Sequence, residues 1–278
     1  MQNKNQKYDA CIISNKYDRS FVKALESIIA QNIKPEWIYI IDDHSKENIE
    51  KSLEIKPPNI SFTRNSSNSG RGFCRNLAHA FCQNDLLFSL DSTNIVDVDY
   101  VSKAIELINQ PKVAAVYGRI SNHKSLTSPK YQWRNRYLFN GDFDYGKKEV
   151  ETEALSTYAT LTRREDILAI GNFRKDLKHS EDAEIARRII TNQLKIIASP
   201  DLITYSTKEE SILSMYERYW RWNHGYKKKV SIGEVYEITK LFTSVALKRH
   251  CRKLELRLAL YCLLCPTFGY LIYRRKVS

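Results

Sequence analysis

The chain has 278 residues, of which 42% are hydrophobic and 27% are charged, and its formal net charge is +12. This length and apolar content suffice for one large folded domain, or for one domain with an extension, and they exclude a disordered chain. The charge is uneven, because residues 208–278 hold 15 Lys and Arg against 6 Asp and Glu, whereas residues 1–207 hold 29 against 26. The basic character therefore belongs to the C-terminal part.

The six cysteines do not have the spacing of a zinc site or of a disulfide-rich secreted domain. Cys262 and Cys265 form a C-x-x-C pair, but no second pair or histidine cluster accompanies them. We interpret the cysteines as reduced thiols that lie in the core or face a membrane. The first residues, MQNKNQKYDACIIS, contain no apolar run of secretory-signal length, so the N-terminus is expected in the cytosol.

Short apolar runs alternate with helical periods along the first ninety residues. Ser20 is expected to cap the first helix, which carries apolar residues on one face. Strands that are apolar throughout and separated by helices predict an α/β fold with a mostly parallel sheet and helices on both faces. The predicted strands are 8–14, 37–42, 60–64 and 86–90, and a helix is predicted over 72–82.

Carboxylates follow two of the predicted strands. Asp42 and Asp43 end the second strand, and Asp91 ends the fourth. Ligands of parallel α/β sheets bind beyond the carboxyl ends of the strands, so these three acids are expected to converge on one site. An Asp after a strand is also a common turn former or helix cap, and for Asp42 and Asp43 that alternative stays open.

Five motifs follow one another between Tyr8 and Tyr205. They are CIISNKYDR, IIDDHSKE, NSGRGFCRN, FSLDST and LTRREDILAIGNFRKDLKHSEDAEIARR. Their order resembles that of the glycosyltransferases of family 2, which have the GT-A fold. In that family they are similar, in turn, to the opening strand and its turn, to V-D-D-G-S, to N-x-G-x-x-x-A-R-N, to D-x-D and to the acceptor-side segment that ends in an E-D pair. Cys74 replaces an alanine of the family pattern, and the chain has Asp91-Ser92-Thr93 where the family has D-x-D.

This resemblance implies a binding site for a nucleotide-sugar donor. Asp42 and Asp43 would read the nucleotide base, Arg75 would hold the same end of the donor, and Asp91 would meet the ribose or a metal. The loop before the predicted helix 72–82 supplies glycines for close backbone approach to the pyrophosphate. The further residues that the resemblance assigns to the donor are Ser14, Asn15, Asn68 and Gly70.

The resemblance also implies a catalytic base. An inverting transferase needs a base that takes the proton of the acceptor hydroxyl, and in this family the second acid of the E-D pair has that role. Asp182 is therefore the expected base, with Glu181 beside it on the acceptor side. The segment HSEDAEIARR also fits a helix start that Ser180 caps, with acids in the first turn. Acceptor contacts are expected from residues 121–146.

Two departures from the family pattern concern the metal. Thr93 replaces the second Asp of D-x-D, and Tyr205 and Ser206 stand near where many relatives have a metal-binding histidine. A hydroxyl is a weaker ligand for a hard cation than a carboxylate. A divalent cation, Mn²⁺ or Mg²⁺, is thus expected to have Asp91 as its protein anchor and to be weakly held.

Basic side chains offer a second way to stabilise the charge of a diphosphate. The segment YERYWRWNHGYKKK, residues 216–229, carries them, and Arg221 is our candidate for a donor contact. The same aromatics fit a helix seam with solvated lysines equally well. The other candidate side chains of this segment are Arg218, His224 and Lys227 for the donor and Tyr219, Trp220 and Trp222 for a sugar.

The C-terminal tail is both basic and apolar. Leu258–Tyr273 runs for 16 residues without a formal charge, which is shorter than the ~20 residues of a membrane span, and Pro266 and Gly269 are expected to interrupt it. Basic residues flank this run, at 248–253 and at 274–276. The pattern favours a segment that lies in the inner-leaflet surface. A dimerisation helix pair or a buried core element is the alternative.

Together these patterns predict a GT-A-like domain over residues 1–207 and a basic, amphipathic helical extension over 208–278. The resemblance implies an inverting transferase that moves a sugar, with a UDP-sugar as the favoured donor, to a hydroxyl of a glycan or lipid-linked acceptor in surface polysaccharide or lipopolysaccharide synthesis. It would act peripherally on the cytoplasmic face of the membrane, alone or as a homodimer. A catalytically degenerate binding or scaffolding protein is the alternative. No nucleic-acid-binding module and no G-x-G-x-x-G of a Rossmann dehydrogenase is found in the sequence.

Overall fold

The computed structural model describes residues 6–54, 57–139, 149–177, 180–224 and 230–277, with side chains left out at 223–224 and 276–277. The chain divides into two compact units. The first takes in the described residues of Met1–Ile120 and Tyr145–Lys208, and the second those of Ser121–Asp144 and Glu209–Ser278.

In chain order the elements are β1 (Tyr8–Ser14), α1 (Arg19–Ile29), β2 (Ile38–Asp42), α2 (Ile49–Ser52), β3 (Ile60–Arg64), α3 (Arg71–Phe81), β4 (Leu86–Asp91), β5 (Asn94–Val96), α4 (Tyr100–Ile108), β6 (Val113–Asn122), α5 (Pro129–Tyr137), β7 (Val150–Glu151), β8 (Ala159–Arg163), α6 (Arg164–Ala169), α7 (Glu181–Thr191), β9 (Lys195–Ser206), α8 (Ile212–His224), α9 (Ile232–Val245), a π-helical turn (Ala246–Cys251) and α10 (Leu256–Val277). The elements predicted in the first ninety residues agree with these bounds within one residue.

The described strands form one mixed sheet in the order β3-β2-β1-β4-β8-β6-β9-β5, with β7 paired to β9. The first four strands in the chain are parallel to one another. The pairs of β4 with β8, β6 with β8, and β5 and β7 with β9 are antiparallel. The predicted α/β fold is confirmed, and its parallel part corresponds to the apolar runs that alternate with helices in the sequence.

The register of the parallel strands places the predicted site residues at one edge. Ser14 lies opposite Asp42 in the β1–β2 pair, and Ile13 lies opposite Asp91 in the β1–β4 pair. The carboxyl ends of β1, β2 and β4 are therefore level. This is the edge at which parallel α/β sheets bind their ligands.

Helix α1 covers the parallel strands with a buried face that includes Phe21, Leu25 and Ile28. Its N-cap is Asp18, so the prediction that Ser20 caps this helix is wrong. One carboxylate oxygen of Asp18 accepts hydrogen bonds from the amides of Ser20 and Phe21. A carboxylate that accepts two of the otherwise unpaired amides satisfies the first turn, and Ser20 becomes its second residue.

The second unit is helical, with an aromatic centre. The ring of Trp133 lies 5.1 Å from that of Tyr216 and 6.2 Å from that of Phe242. Helix α10 is continuous from Leu256 to Val277, so the prediction that Pro266 and Gly269 interrupt it is wrong. Tertiary packing overrides the low helix propensity of both residues.

Gly269 has a packing role that explains its place inside α10. A Cβ at this position would lie 2.4 Å from Cδ1 of Trp220, so only glycine lets the indole lie against the helix. The Trp220 indole N–H also donates a hydrogen bond to the carbonyl of Cys265, at 3.2 Å. The two contacts fix α10 against α8.

All six cysteines are free thiols. Five of them are buried, Cys262 and Cys265 among them, and Cys251 is half-buried. Burial raises the pKa of the Cys262 thiol to about 11, so it remains protonated at neutral pH. The prediction placed the thiols in the core or facing a membrane, and the five buried cysteines lie in the core.

Candidate active site

The loop between β3 and α3 is held in place by Asp43, whose side chain is buried. One of its carboxylate oxygens accepts hydrogen bonds from the Ser69 amide at 2.7 Å and from the Asn65 side chain at 2.8 Å, and the other accepts from the Gly70 amide at 3.0 Å. The Asn68 side chain donates to the Asp43 carbonyl, at 3.2 Å. Asp43 therefore fixes the backbone of the loop that was predicted to approach the pyrophosphate.

Two glycines of this region serve different purposes. Gly70 has φ +85°, in the left-handed region that favours glycine, and a Cβ there would face open space. Gly72, in the first turn of α3, is tightly packed, because a Cβ there would lie 2.5 Å from the carbonyl oxygen of Arg174 and 3.9 Å from Cβ of Glu181. The glycine at position 72 thus brings the start of α3 beside the E-D pair.

Asp42 lies in a second network of hydrogen bonds. Its carboxylate accepts from the amide and hydroxyl of Ser45, at 2.7 and 2.8 Å, and from Nη1 of Arg64, at 2.5 Å. Asp42 therefore stabilises the turn after β2, which is the alternative role that remained open from the sequence. The Ile49 amide also donates to Oδ2, at 3.4 Å, so four donors surround this buried carboxylate, about as many as it has lone-pair sites.

Arg75 lies at the centre of the site and is buried. Its Nη1 donates to Oε1 of Glu181 at 2.7 Å, and its Nη2 lies 3.5 Å from Oδ1 of Asp91 and 3.4 Å from the carbonyl of Thr157. The guanidinium also lies over the ring of Phe173, 5.6 Å from its centroid. Arg75 thus connects Asp91, at the end of β4, with Glu181 of the E-D pair. The resemblance had assigned this arginine to the end of the donor that carries the nucleotide base.

The two acids of the E-D pair begin helix α7 and titrate in opposite directions. Burial acts to raise the pKa of Glu181, but the charge of Arg75 and the hydrogen bonds to its carboxylate outweigh burial, and the pKa lies below its usual value. For Asp182, burial and the negative charge of Glu181 both raise the pKa above its usual value. Glu181 is therefore the ionised partner of Arg75, and Asp182 is the more basic carboxylate.

The alternative interpretation of the E-D pair, a helix start capped by Ser180, holds for the position of the acids but not for the cap. Ser180 occupies the N-cap position with φ +62°, but its side chain makes no capping hydrogen bond. The Asp182 carboxylate accepts from the Ala183 amide, at 2.8 Å. Both acids lie in the first turn, where the helix dipole favours negative charge.

The segment that replaces D-x-D lies at the end of β4. The side chain of Asp91 is 26% exposed, and the Ser14 hydroxyl donates to that of Ser92, at 2.9 Å. The carbonyl of Thr93 accepts hydrogen bonds from the amide and hydroxyl of Thr207, at 2.9 and 3.0 Å. Asp91 is thus the acid of this segment that a ligand can reach.

Thr207 is a site neighbour that the sequence reasoning missed. The antiparallel pair of β5 and β9 places Ser206 opposite Asn94, so the residue after Ser206 meets Thr93. Tyr205 points elsewhere, since its hydroxyl lies 3.4 Å from Oδ2 of Asp97. The register of two antiparallel strands is the signal that would have identified Thr207.

The donor atoms for a divalent cation are few. Over the described residues, no group of three or more His, Cys, Asp or Glu side chains is arranged to hold a metal ion. Asp91 offers one carboxylate, and Ser92 and Thr93 offer hydroxyls. Mg²⁺ is commonly held by one or two carboxylates together with substrate phosphates. The residues therefore fit a cation that arrives with a diphosphate, and they do not fit a cation held by the protein alone.

The remaining predicted residues lie around the site or in the second unit. Asn15 and Asn68 are exposed in the loops after β1 and β3. Arg221 lies in the second unit, where its Nε donates to Glu217 at 3.1 Å. Trp220 is fully buried, as the helix-seam alternative predicts.

The other candidate residues of the segment 216–229 are in an ion pair, lie outside the described residues, or line a cavity. Arg218 is paired with Glu210, and Lys227 and the His224 side chain lie outside the described residues. Tyr219 and Trp222 line a cavity of about 410 Å³ within the second unit, together with Arg136, Tyr137, Leu138, Leu241, Phe242 and Val245.

Residues 13–170 match the family described as glycosyl transferase family 2, which is more than half of the chain. The chain belongs to glycosyltransferase family 2. The O-antigen chain rhamnosyltransferase RfbN of Salmonella typhimurium is 23% identical to it over 205 residues, which cover 70% of this chain and 65% of that protein. This family 2 chain thus spans about two thirds of the length of that curated relative.

Solved structures share its fold at low sequence identity. TarS 1-349 of S. aureus in complex with UDP-GlcNAc has a TM-score of 0.57 and 15% identity, over 96% of this chain and 91% of that one. GalNAc-T7 with UDP, GalNAc and Mn²⁺ has a TM-score of 0.56 and 14% identity, over 91% of this chain and 54% of that one. The predicted GT-A fold of this family 2 member is confirmed.

Proposed function

We propose that this chain is an inverting glycosyltransferase that moves a sugar from a nucleoside diphosphate sugar to an acceptor hydroxyl, with a UDP-sugar as the favoured donor. The cluster around Arg75 carries the proposal, because it joins Asp91, at the ligand-binding edge of the sheet, to Glu181. Asp182 follows Glu181 directly and has a raised pKa. Membership of family 2 supports the reaction class, and the UDP and UDP-GlcNAc of the two structural neighbours support the donor class.

Asp182 is the proposed general base. It takes the acceptor proton as the acceptor oxygen attacks the anomeric carbon from the face opposite the leaving diphosphate. A carboxylate with a raised pKa is a stronger base toward the acceptor proton than an ordinary aspartate. Glu181, held ionised by Arg75, supplies the negative charge that contributes to this shift.

The donor would bind along the edge formed by β1, β2 and the loop that Asp43 holds. The open space in front of Gly70 and the start of α3 suit the close approach of a pyrophosphate to backbone amides. A divalent cation, Mn²⁺ or Mg²⁺, would be held by Asp91 and the donor phosphates, and it would neutralise charge on the leaving diphosphate. The proposed donor contacts of the first unit are Ser14, Asn15, Asp42, Asp43, Asn68, Gly70, Arg75 and Asp91.

The proposed acceptor is a glycan or a lipid-linked glycan of a surface polysaccharide. The O-antigen chain rhamnosyltransferase among the relatives supports this class. The proposed place of action is the cytoplasmic face of a membrane, which the excess of basic residues after position 208 supports. Residues 1–207 would form the catalytic domain and residues 208–278 the attachment to the membrane.

A donor-binding protein without turnover is the second candidate. It is favoured by Thr93, because a neutral hydroxyl stands where the family pattern has the second carboxylate of D-x-D, and by Tyr205 and Ser206, which stand near where many relatives have a metal-binding histidine. Such a protein would bind the nucleotide, but it would not produce free nucleotide from a nucleotide-sugar donor.

The two candidates are separated by measurements of binding and turnover on the same purified chain. Thermal stabilisation by UDP, dTDP, GDP and CMP, each with Mn²⁺, with Mg²⁺ and with chelator, reports donor binding by linkage. Nucleotide release from the matching sugar donors, in the presence of membrane glycolipid, reports turnover. A transferase shows both, and Asp182→Asn lowers the rate of release by about 10²–10⁴-fold while it keeps the thermal shift. A thermal shift with at least one nucleotide, but no nucleotide release from any donor with either metal ion or with chelator, would identify the binding protein.

A further inference from the structure

Helix α10 presents a stripe of exposed leucines. Leu256, Leu260, Leu263 and Leu271 are 64%, 50%, 45% and 50% exposed. At ~100° per residue these four positions fall within a sector of about 80° on the helix surface. Four half-exposed leucines in one line are an apolar surface of the kind that marks an interaction site. We define them as the leucine face.

The opposite side of α10 is anchored to its own unit. Cys262, Cys265 and Gly269 are buried there, and Trp220 both packs against Gly269 and donates to the Cys265 carbonyl. By length and composition alone, Leu256–Arg275 is the one helix in the described part of the chain that can cross a membrane, and 39% of its apolar window is buried within the protein. A helix attached to α8 along this side exposes one side only to its surroundings.

Positive charge surrounds the leucine face. Residues 246–278 contain eight Lys and Arg against the single acid Glu255. Glu255 is itself paired, with His250 at 2.6 Å and with Arg136 at 3.0 Å. The exposed basic side chains stand before and at the start of α10, at Arg252, Lys253 and Arg257, and near its end, at Arg274 and Arg275.

We propose that the leucine face docks on an anionic lipid surface, with the axis of α10 in the plane of the membrane and the leucines at the boundary of head groups and acyl chains. The charge pattern selects this occupant, because basic side chains at both ends of the helix attract anionic head groups. A second copy of the chain on the same face would bring two sets of like charges together. The proposal deepens the membrane location given above and does not depend on sugar transfer.

Sedimentation with lipid vesicles tests the proposal without donor or acceptor. The full chain is mixed with vesicles of phosphatidylcholine alone and of an equimolar mixture with phosphatidylglycerol. We expect binding to the mixture, weakened about twentyfold in the variant Leu260→Gln with Leu271→Gln. The control is Leu168→Gln with Leu213→Gln, two leucines of comparable exposure outside α10, which keeps full binding.

A second set of variants tests the charge. Replacement of three basic residues is expected to weaken binding to the anionic vesicles about a hundredfold. Replacement of three exposed basic residues of the first unit serves as the control and leaves binding unchanged. The test variant is Arg252→Gln, Lys253→Gln and Arg257→Gln, and the control variant is Lys46→Gln, Lys51→Gln and Arg187→Gln.

The orientation of α10 is tested with nitroxide labels on Leu260→Cys and Leu271→Cys, each in a Cys251→Ser background. Equal depths of the two labels in the bilayer confirm the in-plane orientation. Depths that differ by the length of the intervening helix, about 16 Å, show a membrane span and overturn it. Absence of vesicle binding overturns the docking proposal. A dimer in solution that Leu260→Gln with Leu271→Gln dissociates also overturns it, and identifies a second copy as the occupant. These results do not bear on the proposed sugar transfer, which is tested separately by nucleotide release.

Discussion

Nη1 of Arg75 lies 2.7 Å from Oε1 of Glu181, and both side chains are buried although 106 residues separate them in the chain. This ion pair joins α3, which follows the donor loop, to α7, which carries the proposed base. It fixes the position of Glu181 and therefore the charge next to Asp182. The proposed chemistry depends on this pair more than on any single loop.

The first prediction concerns the stability of this pair. Glu181→Gln removes the charge that compensates a buried guanidinium, so the free energy of unfolding is expected to fall by about 3 kcal/mol. Urea denaturation at neutral pH measures it. Asp176→Asn breaks an exposed ion pair with Arg174 and serves as the control with little effect. Equal stability of Glu181→Gln and the unmodified protein would show that Arg75 is not held by Glu181.

The second prediction concerns Asp182 and has the opposite sign. Its pKa is raised in the folded state, so the ionised carboxylate opposes folding once the pH rises above the pKa of the unfolded chain. Asp182→Asn is therefore expected to be more stable than the unmodified protein at neutral pH. The difference should disappear below the pKa of an ordinary aspartate, about 3.9. Thermal melts over this pH range measure it, and a less stable variant at neutral pH would contradict the prediction.

His79 gives the third prediction, because its imidazole is buried between the carbonyl of Arg75 and the hydroxyl of Thr162. Burial lowers the pKa of His79 from 6.5 to about 4. Between these two pKa values the unfolded chain binds a proton at His79 and the folded chain does not. The contribution of neutral His79 to the free energy of unfolding is therefore fully present above pH 6.5 and is lost as the pH falls toward 4. The loss attributable to this group is about 3 kcal/mol across that window. His79→Gln should lose less stability than the unmodified protein between these pH values, as measured by urea denaturation; an identical slope would count against the assignment.

The fourth prediction concerns the glycine that brings α3 to the E-D pair. Gly72→Ala places a Cβ against the Arg174 carbonyl, which costs about 1–3 kcal/mol of stability and displaces α3 from Glu181. Gly233→Ala is the matched control in α9, where a Cβ would meet only the Ser231 hydroxyl at 3.8 Å, and a gain of about 0.5 kcal/mol is expected. Thermal melts of the two variants should therefore shift in opposite directions. A neutral Gly72→Ala would mean that the start of α3 is not tightly packed.

The sequence predicts the elements whose pattern is local. The strand that ends in Asp91 is an unbroken apolar run, and the E-D pair at 181–182 opens a helical period, so both appear in the structure where the pattern places them. The helix cap shows the limit of local patterns. Asp18 and Ser20 are both capping residues two positions apart, and propensity alone does not choose between them.

Contacts between distant segments were not predictable in the same way. Nothing in the sequence around Arg75 indicates its pairing with Glu181, and the contact of Thr207 with Thr93 depends on the register of an antiparallel strand pair. The continuity of α10 through Pro266 depends on its packing against Trp220. These relationships come from tertiary structure, which hydrophobic periodicity does not encode.

The pH dependence of nucleotide release from the sugar donor tests the central claim most directly, in the unmodified protein and in Glu181→Gln. Release by the unmodified protein should fall on the acid side as Asp182 is protonated, at a pH above that of an ordinary aspartate. Because the negative charge of Glu181 contributes to the raised pKa of Asp182, Glu181→Gln should move this acid limb to lower pH. Asp182→Asn should lower the rate by about 10²–10⁴-fold at pH values above the acid limb, and its own profile should lack the limb. An acid limb that stays in place in Glu181→Gln, or full activity in Asp182→Asn, would contradict the assignment of Asp182 as the base.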